Sequence, residues 1–260
     1  MTTGNTDKSK AKIAIITGGG RGLGRNTAIH LARRGGDIIL TYNANKAEAD
    51  SAVAEIEALG QKAVALKLDA GNVASFDAFV AEVGRALQQV WGRDRFDFLV
   101  NNAGTSYHAS IAETTEAEFD KLYNVHLKGV FFLTQKLLPH IVDGGRIVNI
   151  SSGLARFSNP GSSAYAAMKG AVEVLTRYLA KELGARGITA NTVAPGAIQT
   201  DFSGGIVRDN PEVNRMVASM TALGRAGLPD DIGPMIASLL SDDNRWVNGQ
   251  RIEVSGGMVV

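Results

Sequence analysis

Two side chains in "SAYAAMKGAVEVL" (163–175) stand four residues apart, Tyr165 and Lys169. On a helix that spacing puts them on one face, a phenolic proton donor beside a cation able to tune it. The pair is common on solvated helices, so by itself it decides little. A second stretch, "ITGGGRGLGRN" (16–26), has the composition of a phosphate cradle. Glycine lets a backbone turn sharply and approach a ligand closely. The G-x-G-x-x-G pattern fits no register here; what fits is Thr17-Gly18-x-x-x-Gly22-x-Gly24, a wider loop.

These residues need a scaffold, and the alternation of patterns supplies one. Short β-branched runs at 12–17, 37–42, 62–68, 96–100, 146–151, 188–193 and 251–254 read as strands. Helical patterns lie between them at 21–35, 46–60, 73–91, 116–142 and 164–185, with another near 230–241. Such βα alternation predicts a doubly wound, Rossmann-type α/β fold: one mostly parallel seven-stranded sheet with helices on both faces. The glycine loop then falls between the first strand and the first helix, where helix N-terminal amides meet a phosphate. Residues 1–10 read as a flexible polar tail and 11–260 as one domain.

Cofactor choice follows from the end of the second strand. NAD sites place an acid there for the ribose hydroxyls. This strand ends Tyr42-Asn43, while Asp37 begins it and Glu48 lies in the next helix. Arg21, inside the glycine loop, has a guanidinium able to fork onto a 2′-phosphate. Lys46 and Arg25 are further nearby cations. The pattern favours NADP(H) over NAD.

The chain resembles the short-chain dehydrogenase/reductase family over nearly its whole length, with its nearest likeness to bacterial 3-oxoacyl-carrier-protein reductases. The features are "TGGGRGLG" (17–24), Asp69, "NNAG" (101–104), "NISS" (149–152), Tyr165-x-x-x-Lys169, "ITANTVAPG" (188–196) and "NGQRIEVSGG" (248–257). The resemblance implies that Gly18, Gly20, Gly22, Leu23 and Gly24 hold the pyrophosphate, and that Asp69 and Ala70 border the adenine. Asn102, Ala103 and Gly104 would line the path to the nicotinamide ribose. Pro195, Gly196, Ile198 and Thr200 would hold the carboxamide end. It implies Tyr165 as general acid, its pKa lowered by Lys169 and by an oxidised nicotinamide, and Lys169 also on the ribose. Ser152, 13 residues before Tyr165, would hydrogen-bond the substrate oxygen. One departure is in "YNVHLKG" (123–129): His126 stands where the family carries an asparagine that anchors a relay water. Imidazole can also donate and accept.

The implied activity is NADPH-dependent reduction of a carbonyl to a secondary alcohol, reversible. Alternatives are an NAD-linked alcohol, sugar or steroid dehydrogenase, or a non-catalytic dinucleotide sensor, which commonly lacks the tyrosine or lysine. Related enoyl reductases place lysine seven positions after tyrosine; here that position is Val172. With no cysteine, thiolate catalysis, disulfides and zinc–thiolate sites are excluded. No G-x-S-x-G elbow or H-E-x-x-H ligand set occurs, so a hydrolase or metal site is not expected. A net charge of +1 and no long apolar run predict no nucleic-acid or membrane partner, and a cytoplasmic protein. A homotetramer is the family expectation. Residues 200–222 read as a substrate lid, hinged at Gly204-Gly205, with Phe202 and Ile206 facing a moderately apolar pocket alongside Leu154 and Phe157.

Overall fold

The computed structural model describes residues 11–260; the tail expected over 1–10 lies outside the described residues. Seven parallel strands form one sheet in the order β3-β2-β1-β4-β5-β6-β7. They are β1 Ile13–Ile16, β2 Asp37–Tyr42, β3 Ala63–Lys67, β4 Phe96–Asn101, β5 Ile141–Ile150, β6 Thr189–Pro195 and β7 Arg251–Val254. The helices are α1 Gly22–Arg33, α2 Lys46–Ala58, α3 Phe76–Ala86, α4 Glu116–Tyr123, α5 Gly129–Leu137, α6 Ser163–Glu182, α7 Ile206–Asp209, α8 Pro211–Ser219 and α9 Pro229–Leu239.

Continuous apolar strands bury both faces of this sheet, and side-chain alternation divides them between two cores. Ala14, Ile16, Ile38 and Leu40 pack with α1, α2 and α9 through Ala28, Ile56 and Ile236. Ile13, Ile15 and Ile39 pack on the opposite face with α3, α5 and α6 through Phe76, Val83, Leu137 and Ala180. The sheet order reverses between β1 and β4, which opens a crevice at the carboxyl ends of those strands.

One expected boundary is corrected. The helix predicted to run to residue 142 stops at Leu137, and a short 3₁₀ turn, Leu138–His140, follows it. Pro139 lacks the N–H that would continue the helix. The chain is extended by Ile141, which pairs with Phe96; after an irregularity the ladder resumes at Arg146 opposite Phe98. Strand β5 therefore begins five residues before the β-branched run that signalled it. Between α4 and α5 the helix widens into a π-turn, Asn124–Lys128. Such turns recur at functional sites. Gly129 follows it, and a side chain there would collide with the Ala70 carbonyl. The loop after β3 and the helix bearing His126 are thereby held in contact.

Candidate active site

Strand ends β1, β4, β5 and β6 deliver the candidate residues to one edge of the sheet. The glycine loop is shaped by its neighbours. Gly18 and Gly22 have φ of +65° and +55°, which a side chain would resist. A Cβ on Gly24 would strike the Gly18 carbonyl, and one on Gly19 would come within 2.6 Å of the Leu40 side chain. Thr17, at the strand end, organises this turn. Its Oγ1 accepts from the Asn102 and Ala103 N–H groups, both at 2.9 Å. The Asn102 side-chain amide donates to the carbonyls of Thr17 (2.9 Å) and Gly18 (3.2 Å). Asn102 thus braces the loop with its side chain, and its neighbours Ala103 and Gly104 remain at the crevice wall.

Helix α1 starts at Gly22 with no side-chain cap and no acid in its first turn, so its amides face the loop without an internal anion. The three nearby cations separate clearly. Arg25 is paired with Glu55 (2.9 Å) and Ser51, and Lys46 with Asp50 (2.7 Å). Arg21 is exposed, and its guanidinium makes no hydrogen bond or ion pair among the described residues. Tyr42 and Asn43 close β2 with no carboxylate. Asp69 accepts from the Gly71 N–H at 2.9 Å and shapes the turn that carries Ala70. Gly196 follows β6 and donates to the Val254 carbonyl at 3.1 Å; a side chain on it would crowd Ser255. Ile198 bridges to Gly227. Thr200, 8% exposed, has its side chain near Gly22, beside the start of α1.

Helix α6 presents Tyr165 and Lys169 toward the turn after β5, where Ser152 stands. Lys169 is 5% exposed; its Nζ donates to the Ile150 carbonyl at 2.7 Å and sits 5.4 Å from the Tyr165 ring centroid. Burial pulls its ammonium down to about 7. Burial pushes the Tyr165 phenol above its ordinary value, and a hydrogen bond with Ser152 opposes this only in part; the lowering expected from Lys169 and an oxidised nicotinamide refers to the cofactor complex. Ser152 Oγ also accepts from the Leu154 N–H at 3.2 Å.

His126 is 1% exposed and meets Tyr165 edge-on at 5.1 Å between ring centroids. Its Nε2 lies 2.7 Å from the Thr105 carbonyl oxygen and 3.2 Å from the Thr105 nitrogen, while Nδ1 is buried with no partner among the described residues. Burial, then the charge of Lys169, push the imidazole down to about 3 against the opposing Thr105 carbonyl, so it is neutral.

The expected pocket residues divide. Phe202, 44% exposed, stands 6.1 Å from the Tyr165 ring, and Ile206 is similarly exposed on α7. The Phe157 ring instead packs against Gly153, with the Arg156 guanidinium 5.5 Å from its centroid, so it braces the turn that carries Leu154. A groove of about 390 Å³ between Phe119 and Ala167 lies on the face of α6 turned away from Tyr165.

Sequence reasoning missed a polar ladder beneath these residues. Asn101 donates to Asn149 (2.8 Å) and Thr134; Asn149 donates to Thr176, which also accepts from Thr192 (both 2.9 Å). The signal was present in the first asparagines of "NNAG" and "NISS", which sit opposite each other in register. Among the described residues no cluster of three or more ligating side chains could hold a metal ion, and no helix is long and apolar enough to cross a membrane.

Comparison with known proteins agrees with this geometry. A family profile described as "Enoyl-(Acyl carrier protein) reductase" matches residues 18–259. The hydroxynaphthalene reductase-like protein Arp2 of Metarhizium brunneum is 37% identical over 260 residues, covering 95% of each chain. Among solved structures, the promiscuous reductase LugOII, which catalyses keto-reduction at C1 during lugdunomycin biosynthesis, superposes with a TM-score of 0.92 at 36% identity, covering 97% of this chain and all of the other. The angucycline C-6 ketoreductase LanV, solved with bound NADP, gives 0.91 at 34% identity and 95% coverage of both. Glycine loop, strand order, the Tyr165–Lys169 helix and these full-length matches converge: the chain belongs to the short-chain dehydrogenase/reductase family.

Proposed function

We propose that the chain is an NADPH-dependent ketoreductase whose acid–base residues are Ser152, Tyr165 and Lys169. The observation that carries this reading is the convergence of Tyr165, Lys169 and the Ser152 hydroxyl at the end of β5, next to a glycine loop whose one unpaired cation is Arg21. The dinucleotide fits the residues present: the uncapped amides of α1 and the loop that Cβ atoms would fill suit a pyrophosphate, and Arg21 suits a 2′-phosphate. The NADP of the LanV structure and the keto-reduction by LugOII support the same choice.

Held by the glycine loop and Arg21, NADPH would supply the hydride for the carbonyl carbon. Ser152 holds the carbonyl oxygen and stabilises its developing charge. Tyr165 gives that oxygen its proton. Lys169, an ammonium below about pH 7, steadies the phenolate left behind and binds ribose hydroxyls. His126, neutral and with a free Nδ1, accepts from a relay water that returns the proton. The steps run in reverse for alcohol oxidation. Carbonyl rather than alkene reduction is favoured because position 172 is a buried valine, not a lysine. Phe202 and Ile206 form the outer wall for an apolar ketone. The proposed assembly is the homotetramer of the family, with the exposed Phe131 on α5 and Val174 and Tyr178 on α6 as apolar surface for subunit contact.

The test is NADPH oxidation with 9,10-phenanthrenequinone, 1-tetralone, cyclohexanone and ethyl acetoacetate, run on wild type and on Tyr165→Phe. The variant keeps the ring but loses the donor, so turnover falls at least ~100-fold while NADPH binding persists. Near-normal turnover in the variant, or no reduction of any of the four by wild type, refutes the reading.

A further inference from the structure

Ser152 lies on a turn, and turns need an external constraint to hold a catalytic hydroxyl to a fraction of an ångström. The constraint comes from β7. Alternation along that strand puts Arg251 and Glu253 on one face, toward the Ser152 turn. Arg251 donates from Nη2 to the Ser152 carbonyl (3.3 Å), from Nε to Glu173 Oε1 (2.7 Å) and from Nη1 to Glu253 Oε2 (2.8 Å). Glu173 Oε1 in turn accepts from the Ser151 hydroxyl at 2.7 Å. Glu253 receives a two-pronged contact from Arg156, at 2.7 and 2.8 Å, and Arg156 also holds the Met258 and Val259 carbonyls. The Arg251, Glu173 and Glu253 side chains are only 23%, 13% and 19% exposed.

Glu173 is on α6, two turns after Tyr165 and one after Lys169. One guanidinium therefore ties the helix that carries Tyr165 and Lys169, the turn that carries Ser152, and the last strand of the sheet. The Ser151 and Ser152 contacts fix two consecutive residues of the turn relative to that helix. We propose that Arg251, acting with Glu173, is a positioning residue that sets the Ser152 hydroxyl against Tyr165. This rests on the catalytic assignment of Ser152 above. Neither Arg251 nor Glu173 is assigned contact with the reacting atoms; their action passes through Ser152.

A double-mutant cycle tests it, with 9,10-phenanthrenequinone as the probe and NADPH affinity read separately by fluorescence. Arg251→Met lowers kcat about tenfold in the wild-type background but less than about twofold in Ser152→Ala, because residues that act as a unit are not additive. NADPH affinity is unchanged in both. Arg251→Lys, which keeps one charged donor, recovers part of the loss. Glu173→Gln keeps an acceptor for Ser151 but not the ion pair, so it shows a smaller loss with the same dependence on Ser152. It carries the test if Arg251→Met does not fold. Equal fold-losses in both backgrounds, or a fall in NADPH affinity matching that in kcat, overturns the proposal and leaves the Ser152 assignment standing. Full turnover in Ser152→Ala overturns both.

Discussion

Replacing His126 with asparagine has a calculable consequence. One imidazole nitrogen, Nε2, faces both the N–H and the carbonyl of Thr105, and it can satisfy only one at a time. An asparagine amide offers a donor and an acceptor, so it can serve both. The gain is about one net hydrogen bond, roughly 0.5–1.5 kcal/mol, together with removal of the unpartnered Nδ1. The loss is the edge-on contact with Tyr165, roughly 0.5–1.5 kcal/mol, and ring volume. His126→Asn should therefore match wild type at pH 7 to within about 1 kcal/mol. His126→Ala loses both ring and bonds and should cost about 3 kcal/mol, a Tm drop of roughly 6–12 °C. Acid separates the two further. The buried imidazole has its pKa pushed down to about 3, whereas the unfolded chain's histidine titrates near its ordinary value. As pH falls below about 6.5 the unfolded state gains a proton that the folded state refuses. Stability is lost at up to about 1.4 kcal/mol per pH unit until about pH 3. The asparagine variant lacks this loss, so it should overtake wild type on acidification. Thermal melts from pH 4 to 8, beside steady-state kinetics, measure both. The relay assignment expects His126→Asn to retain most turnover and His126→Ala to lose at least about tenfold. Parallel loss of stability in wild type and His126→Asn would refute the burial argument, and unchanged kinetics in both variants would refute the relay.

Two further outcomes follow from the same site. Arg21→Ala should weaken NADPH about ten- to a hundredfold in kcat/KM and leave NADH nearly unchanged, because a charge-assisted contact of roughly 1.5–3 kcal/mol exists only with the 2′-phosphate. Tyr42→Asp should shift preference toward NADH, and equal losses for both cofactors in Arg21→Ala would mean the loop had only loosened. Lys169 loses its proton on rising through about pH 7, against about 10.5 when free, so kcat/KM for reduction should decline above pH 7. The stability contribution runs the other way: between pH 7 and 10.5 the unfolded chain binds the extra proton, so rising pH stabilises the fold. In Lys169→Arg, where the charge persists, the kinetic inflection should vanish; a profile flat to pH 9 in wild type would contradict the assignment.

The inner strands were legible because burial on both faces demands uninterrupted apolar runs, and β2 occupies the residues expected of it. The early start of β5 was not, since "IVDGG" has no such run and pairs through the single contact of Ile141 with Phe96. Within the site, the family resemblance singled out Tyr165, Lys169 and Ser152, whose spacing is local. What escaped depends on distant partners. Arg251 and Glu173 are 78 residues apart and meet only when β7 joins the sheet beside β6.

The expected pocket wall shows where such reading stops. Phe157 and Phe202 have equal claim from sequence, each an aromatic close to a candidate contact. Packing separates them, because a glycine at 153 leaves a space that the Phe157 ring fills, whereas Phe202 precedes three consecutive residues with positive φ, Ser203 (55°), Gly204 (70°) and Gly205 (77°). The two glycines adopt that conformation freely; Ser203 does so at a cost. The segment also leaves apolar surface exposed, at Phe202 beside Tyr165, at Ile206 on α7, at Met216 on α8 and at Met220 just after it. A ketone seated on Tyr165 can cover part of it. On the proposed ketoreductase reading, the choice among ketones would follow how much of this apolar surface each can bury.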